Sequence, residues 1–515
     1  MGRRQERHRG REALTEQPKF RSTTLGELFG EVADAFPDAV AYVEGDERVT
    51  FSEWVRRADS LAATLAERGV GSGDVVALLL PSSIDFAVGY AAASRLGAVA
   101  TGVNTRLGPN EITAILGKCT PAALIHESAG DPVPVGAFRP GVVMSRAEMP
   151  RAAAQGRALP SLAAIRPEDP ACIVWTSGTT GMPKGAWFDH RALRASAEMS
   201  GILSAPFDRR SMPIPFAHAG YMNKVWDQLA FVITCVLLPG AWSAEAMLDL
   251  MVRERITGGQ GVPTQWAKLV DLPELATADL SSLRLAGTGS APVSPELAEK
   301  MRTRLGCPIV VRYACTESST MTGTEPGDPV EVLLHTVGRP LPGVEMVLVS
   351  EDGEEVPQGE TGIIRMRTRC QMRGYWNDPE RTAETMSSDG WIQTGDLGFF
   401  RDDGNLVLCG RITEMYIRGG YNVYPLEVEN VLAEHPGVER VAVLGHPAPV
   451  IGEIGVAFVV PADPASPPTA DELERWCRER LADYKAPDRV EFVDALPITP
   501  TMMKIDKTAL RAHLT

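Results

Sequence analysis

The stretch ACIVWTSGTTGMPKG at residues 171–185 puts three glycines, three threonines and a serine into one loop behind a short apolar run. Small residues of this kind let backbone N–H groups and hydroxyls approach a polyphosphate closely, and Lys184 adds a point charge. The spacing is not the G-x-x-x-x-G-K-S/T of a Walker A loop, and a plain surface turn is the alternative reading. Other residues are ambiguous when taken singly. His218, in PIPFAHAG, would serve as a satisfied core histidine. Asp396, in TGDLG, would be a solvated turn residue. Lys504, in LPITPTMMKIDKTAL, would be a surface charge near the C-terminus, with two methionines standing in front of it.

These side chains need elements to hold them. From about residue 24 the chain alternates strand-like and helix-like runs. AVAYVE, GDVVALLL and AVATGVN read as strands; TFSEWVRRADSLAATLAERG reads as a helix opened by Thr50 and closed by Gly69. Repeated strand–helix–strand units with continuous apolar strands predict an α/β domain of mostly parallel sheets. From about Val337 the turn dipeptides Asp352-Gly353, Asp389-Gly390 and Asp403-Gly404 separate short strands and predict a small antiparallel, barrel-like part. After LCGR a smaller α/β unit begins, so residues 21–411 are expected to form a large domain and 412–515 a small one. The basic, aperiodic residues 1–20 are expected to be a disordered tail.

Composition narrows the function classes. A net charge of −15 argues against nucleic acid and against steering onto anionic membranes. The eight cysteines are scattered without C-x-x-C or metal-ligand spacing, which fits a reduced, cytoplasmic setting. Apolar runs stop well short of the ~20 residues of a membrane span.

The string T-S-G-T-T-G-x-P-K-G closely resembles the phosphate loop of the adenylate-forming superfamily, which includes acyl-CoA synthetases, luciferases and peptide-synthetase adenylation domains. The resemblance recurs in order from about residue 40 to 511. It implies that Thr176, Ser177, Gly178, Thr179, Thr180, Gly181 and Lys184 hold nucleotide phosphates, and that Ser290, Ala291 and Pro292 in GTGSAPVSPEL lie along adenine. In YACTES it implies that Tyr313 stacks on adenine, Thr316 touches the α-phosphate and Glu317 holds Mg²⁺. Asp396 and Arg411 would bind the ribose. His218 would stand between the acyl pocket and the thiol tunnel, with Gly287 and Gly289 in the pocket region. Gly419 and Gly420 would lie by the pantetheine path, and Thr413 and Glu414 at the hinge of a mobile small domain. Lys504 would bridge the substrate carboxylate and the α-phosphate. The implied cofactors are ATP, Mg²⁺ and coenzyme A; the implied partner is a small carboxylic acid or its acyl-adenylate.

The chain departs from the family pattern at several places. Ala314 replaces the glycine of Y-G-x-T-E, Arg312 stands where glycine is common, and Thr413 replaces the usual hinge Asp or Lys. Before Lys504 the family reads L-P-x-T-x-x-G-K-I; here one residue is inserted and Met502-Met503 replace the glycine. One extra residue in an extended segment shifts the chain by ~3.3 Å and turns the side chain to the other face, although a bulge can absorb it. Two functions follow as expectations: an acyl-CoA ligase, or an enzyme impaired in adenylation that transfers the acyl group of an adenylate supplied by a separate adenylating enzyme. Gly287 and Gly289, with Gly258, Gly259 and Gly261 nearby, hint at room for a bulky or long hydrophobic acid, or else at close backbone packing.

Overall fold

All five residues of the strand Val75–Leu79 are apolar and buried, the signature of a strand covered on both faces. In the computed structural model, which describes residues 17–127, 133–134, 136–149, 165–176, 183–291, 293–499 and 505–514, it sits near the middle of a seven-stranded sheet. The spatial order is Gly374–Tyr375, Lys184–Asp189, Pro170–Thr176, Val99–Gly102, Val75–Leu79, Ala123–His126 and Val142–Ser145. The last five are parallel and the first two run antiparallel.

A second, nine-stranded sheet has a parallel centre made of Ile309–Cys315, Leu285–Gly289, Gly258–Gly261, Arg209–Ser211, Thr234–Leu237 and Val40–Glu44. Antiparallel strands finish both edges. The helix Phe51–Glu67 opens on Thr50, whose side chain accepts from Glu53 N–H. It buries Phe51, Trp54, Val55, Ala58, Leu61, Ala62 and Leu65, a stripe at helical spacing. Trp54 meets Phe29 and Tyr42 edge-on, each with ring centroids 4.8 Å apart. The helix Ile84–Leu96 closes on Gly97 in the left-handed conformation.

A four-stranded antiparallel sheet follows, ordered Val344–Val349, Gly362–Thr368, Ile392–Phe400 and Leu406–Arg411. The chain leaves this sheet at Arg411 through the short turn Ile412–Glu414. The remaining unit wraps helices Pro425–Ala433 and Ala470–Arg478 on a sheet dominated by the long hairpin Val438–Ala448 and Gly452–Pro461. One boundary shifts. Phe20, expected in the tail, lies 6.4 Å from the Phe36 ring and packs on the main core, because an aromatic ring there can be buried. Residues 1–16 lie outside the described residues. Among the described residues no helix is long and apolar enough to cross a membrane.

Candidate active site

The strand Ile309–Cys315 runs parallel to its neighbour, turns through residues 316–318 and returns antiparallel as Ser319–Gly323. This turn carries Thr316 and Glu317, and the strand before it carries Tyr313. The Tyr313 hydroxyl donates to Asp396 Oδ2 at 2.6 Å. Across the adjoining strand pair Asp396 faces Arg411, whose Nε lies 2.9 Å from Oδ1. Three residues that the sequence resemblance assigns to the nucleoside therefore meet in one hydrogen-bonded chain. Burial works against the Arg411 charge, but Asp396 and Glu414 outweigh it and hold its pKa above the usual value. Burial, reinforced by the Asp396 charge, keeps Tyr313 protonated far above the usual phenol range.

Glu317 belongs to a second cluster. Its Oε1 accepts the Tyr375 hydroxyl at 2.8 Å, and Lys184 Nζ stands 5.0 Å from the centre of the Tyr375 ring. Lys184 opens the strand Lys184–Asp189 and pairs with Thr176 across a hairpin. The phosphate-loop residues Ser177, Gly178, Thr179, Thr180 and Gly181, along with Pro292 and Lys504, lie outside the described residues. The strand Gly374–Tyr375 docks on that hairpin. It is held there by Arg373, which engages the buried Asp189 carboxylate through Nε at 2.9 Å and Nη2 at 3.0 Å. Tyr375 and Asp189 were missed by sequence reasoning; the signal available for Tyr375 is its place in GYWNDPE, residues 374–380.

The turn is braced from behind. Lys224 Nζ donates to Ser196 Oγ at 3.2 Å, and Ser196 Oγ meets Ser319 Oγ at 3.1 Å. Ser319 and Ser290 both take φ near +67°, a region costly for residues other than glycine. Ser290 belongs to one segment assigned to nucleotide binding and Ser319 directly follows the other. Ala314 is exposed and has no positive φ, so the glycine it replaces is not needed for backbone shape. Arg312 does not point to solvent: its guanidinium crosses Gly323 to reach the Thr324 carbonyl and lies 3.4 Å from Glu325. A Cβ at Gly323 would come within 1.7 Å of it.

His218 is partly buried, and the Asn104 amide nitrogen lies 3.1 Å from its Nε2. An amide nitrogen can only donate, so Nε2 accepts and the neutral ring carries its proton on Nδ1. For the pocket glycines the contacts favour the packing alternative. An added Cβ at Gly287 would meet the Gln260 side chain at 2.9 Å, one at Gly261 would meet Trp266 Nε1 at 2.9 Å, and one at Gly289 would strike the Arg312 carbonyl. At Gly261 and Gly289 the small residue makes room for the protein's own packing.

Gly419 and Gly420 form the exposed tip of the hairpin between Tyr416–Arg418 and Tyr421–Val423, both with positive φ, as a tight hairpin demands. Thr413 is exposed. Glu414 accepts from Lys507 Nζ at 2.8 Å, and the same ammonium lies 2.9 Å from Glu429. For a divalent cation the donor set is sparse: among the described residues no three His, Cys, Asp or Glu side chains converge. Glu317, beside Lys184, suits an ion held by one carboxylate and substrate phosphates, as Mg²⁺ commonly is.

The family model described as AMP-binding enzyme matches residues 29–376, and that of the AMP-binding enzyme C-terminal domain matches 427–502. A feruloyl-CoA synthase of Amycolatopsis sp is 36% identical, with 93% of this chain and 97% of that protein covered. A 7a-methyl-1,5-dioxo-octahydro-indenyl propanoyl:CoA ligase of Rhodococcus jostii is 34% identical over 97% of this chain and 99% of its own length. The ATP-bound crystal structure of MatB from Rhodopseudomonas palustris superposes with a TM-score of 0.85 at 29% identity, covering 95% of this chain and 98% of that one.

Proposed function

The chain belongs to the AMP-binding enzymes, the adenylate-forming superfamily, in its acyl-CoA ligase branch, and from that premise we propose that it converts a hydrophobic carboxylic acid to its CoA thioester through an acyl-adenylate. It is an acid–thiol ligase that uses ATP, Mg²⁺ and coenzyme A. The hydrophobic acid is supported by the feruloyl and indenyl-propanoyl groups in its relatives' names, not by the pocket glycines. The eight cysteines are free thiols, which supports a reduced, cytoplasmic setting.

The observation that carries the reading is the Tyr313–Asp396–Arg411 chain, set four residues from Glu317 on one strand and turn. Asp396 and Arg411 hold the ribose at the mouth between the two domains, and Tyr313 flanks adenine. Lys184 and the loop before it hold the distal phosphates, and Thr316 stands at the α-phosphate. Bound Mg²⁺ neutralises charge where two anionic groups must meet. A carboxylate oxygen then bonds to the α-phosphorus, and the bond to the bridging oxygen breaks, releasing pyrophosphate with its electron pair. Lys504 steadies the charge of that step. After the small domain turns, the CoA thiolate bonds to the acyl carbon, and AMP leaves with the electrons of the acyl–oxygen bond. Gly419 and Gly420 leave the pantetheine arm an unobstructed path. The His218 ring, fixed by Asn104, borders the acyl end.

A second reading rests on the inserted residue before Lys504: a displaced lysine would slow adenylation alone and leave an enzyme that passes a supplied acyl-adenylate to CoA. Incubating a panel of hydrophobic acids with ATP, Mg²⁺ and CoA, and assaying acyl-CoA, AMP and pyrophosphate, tests the first reading. Product formed only when synthetic acyl-adenylate replaces acid and ATP would favour the second. A carrier-protein thiol in place of CoA is separated by swapping the acceptor.

A further inference from the structure

The part-buried Lys224 ammonium makes one hydrogen bond among the described residues, to Ser196 Oγ at 3.2 Å. Asp227, three residues on, is already engaged: its carboxylate takes Arg210 Nη1 at 2.9 Å and the Ser204 hydroxyl at 2.8 Å. Among the described residues no carboxylate stands within ion-pair distance of Lys224. Burial lowers the Lys224 pKa, with Asp227 and Cys370 opposing the change and Arg210 and Arg312 adding to it. A charge drawn out of water without an ionic partner is costly, so stability alone does not account for a lysine here.

An ammonium can only donate. With Ser196 Oγ accepting from Lys224, the Ser196 hydroxyl proton is directed to Ser319 Oγ, 3.1 Å away. The result is a hydrogen-bond chain of fixed polarity, strengthened by the charge at its head. Its two ends belong to different parts of the site. Ser196 lies on the helix His190–Glu198, which leaves the phosphate-loop hairpin directly and is capped by Asp189. Ser319 pairs with Cys315 across the base of the turn that carries Thr316 and Glu317. The Ser319 φ of +66° is one that a residue other than glycine keeps only where its surroundings hold it. The far side of the turn is tied as well, since the Glu317 carbonyl accepts Met372 N–H at 2.7 Å.

We infer that Lys224 is a positioning residue for the phosphate end of the site: through Ser196 and Ser319 it locks the turn bearing Thr316 and Glu317 to the helix that follows the phosphate-loop hairpin, and so sets Glu317 relative to Lys184. Lys224 acts through Ser319 and not on the reacting atoms. The inference rests on the acyl-CoA ligase reading and adds to it a residue outside the motif strings. Without the ammonium, the Ser196 proton is free to turn back to a carbonyl of its own helix, as helical serines do. Ser319 then loses its tether and the turn relaxes. The loss falls on binding that needs the metal and the distal phosphates. Asp396 and Arg411, which hold the nucleoside, stand on a separate strand pair and keep their grip.

The test compares the full-length wild type with Lys224→Met, Ser196→Ala and the double variant. Calorimetry measures the affinity for MgATP and, separately, for AMP. Pyrophosphate release from acid and ATP follows adenylation, and acyl-CoA formed from supplied acyl-adenylate follows the second step. Each single variant should weaken MgATP binding about tenfold and slow pyrophosphate release, with AMP affinity and thioester formation held within about twofold. The double variant should lose no more than either single one, because both changes break the same chain. If the wild type turns over no acid, the ligase reading fails, while the contrast between MgATP and AMP still decides the role of Lys224. Unchanged MgATP affinity, equal losses for MgATP and AMP, or losses that multiply in the double variant would overturn the inference.

Discussion

Tyr375 occupies no position in the phosphate-loop or Y-G-x-T-E strings, yet its hydroxyl reaches Glu317 and its ring lies beneath Lys184. Removing that hydroxyl in Tyr375→Phe leaves the carboxylate less well aimed. The activity should fall about 10- to 100-fold, the worth of one hydrogen bond to a charged group, with the loss largest at limiting Mg²⁺; titrating the metal at fixed ATP measures it. Asp396 accepts from Tyr313 and faces Arg411 at once, so Asp396→Asn removes a charge that both neighbours use. An increase of about 10- to 100-fold in KM for ATP is expected, with KM for the acid little changed; steady-state kinetics in each substrate checks the split. Motif strings mark such residues by type, but the sequence alone leaves open which oxygen meets which proton. Tyr375 was invisible because its role comes from docking a two-residue strand far along the chain onto the phosphate-loop hairpin.

Elements carry the next level of control. The helix His190–Glu198 starts directly after the phosphate-loop hairpin, and its first residue, His190, accepts the Leu25 backbone N–H at 3.1 Å. Burial pulls the His190 pKa down from 6.5 to about 4. A depressed folded pKa means the unfolded chain binds the extra proton between those values, so stability is complete above pH 6.5 and is lost as pH falls toward 4. The drop should be on the order of 3 kcal/mol. Urea unfolding midpoints between pH 7 and 4 should show it, and His190→Gln should flatten that slope. At the other end of the chain, Lys507 ties the helix Lys507–Ala512 to Glu414 and Glu429. Lys507→Met should loosen the segment that precedes this helix, slowing acyl-adenylate formation several-fold more than thioester formation from supplied acyl-adenylate. Parallel strands and their helices were legible from apolar runs and caps such as Thr50, because burial on both faces leaves a plain pattern. The glycines of Gly258–Gly261 and Leu285–Gly289 were not, since only three-dimensional contact shows that Trp266 and Gln260 fill the space they leave.

At the scale of the whole molecule, the site is assembled where the strand and turn of residues 309–318, the end of the antiparallel sheet at Arg411 and the start of the small unit come together. Under the proposed function that arrangement would serve adenylation and thioester formation in turn at one nucleotide site. The order of motifs along the chain drew attention to these segments, while the role of Lys504 turns on a local insertion that no pattern resolves. Deleting Met502 and replacing Met503 with glycine restores the family spacing, and this variant should adenylate at least as fast as the parent. The most direct measurement mixes the enzyme with a hydrophobic acid, ATP and Mg²⁺ in the absence of CoA, and then adds CoA as a chase. Acyl-adenylate forming on the enzyme and converting to acyl-CoA on the chase is the predicted result. No adenylate before the chase and no thioester after it, with acyl-CoA appearing only from supplied acyl-adenylate, would contradict the ligase account.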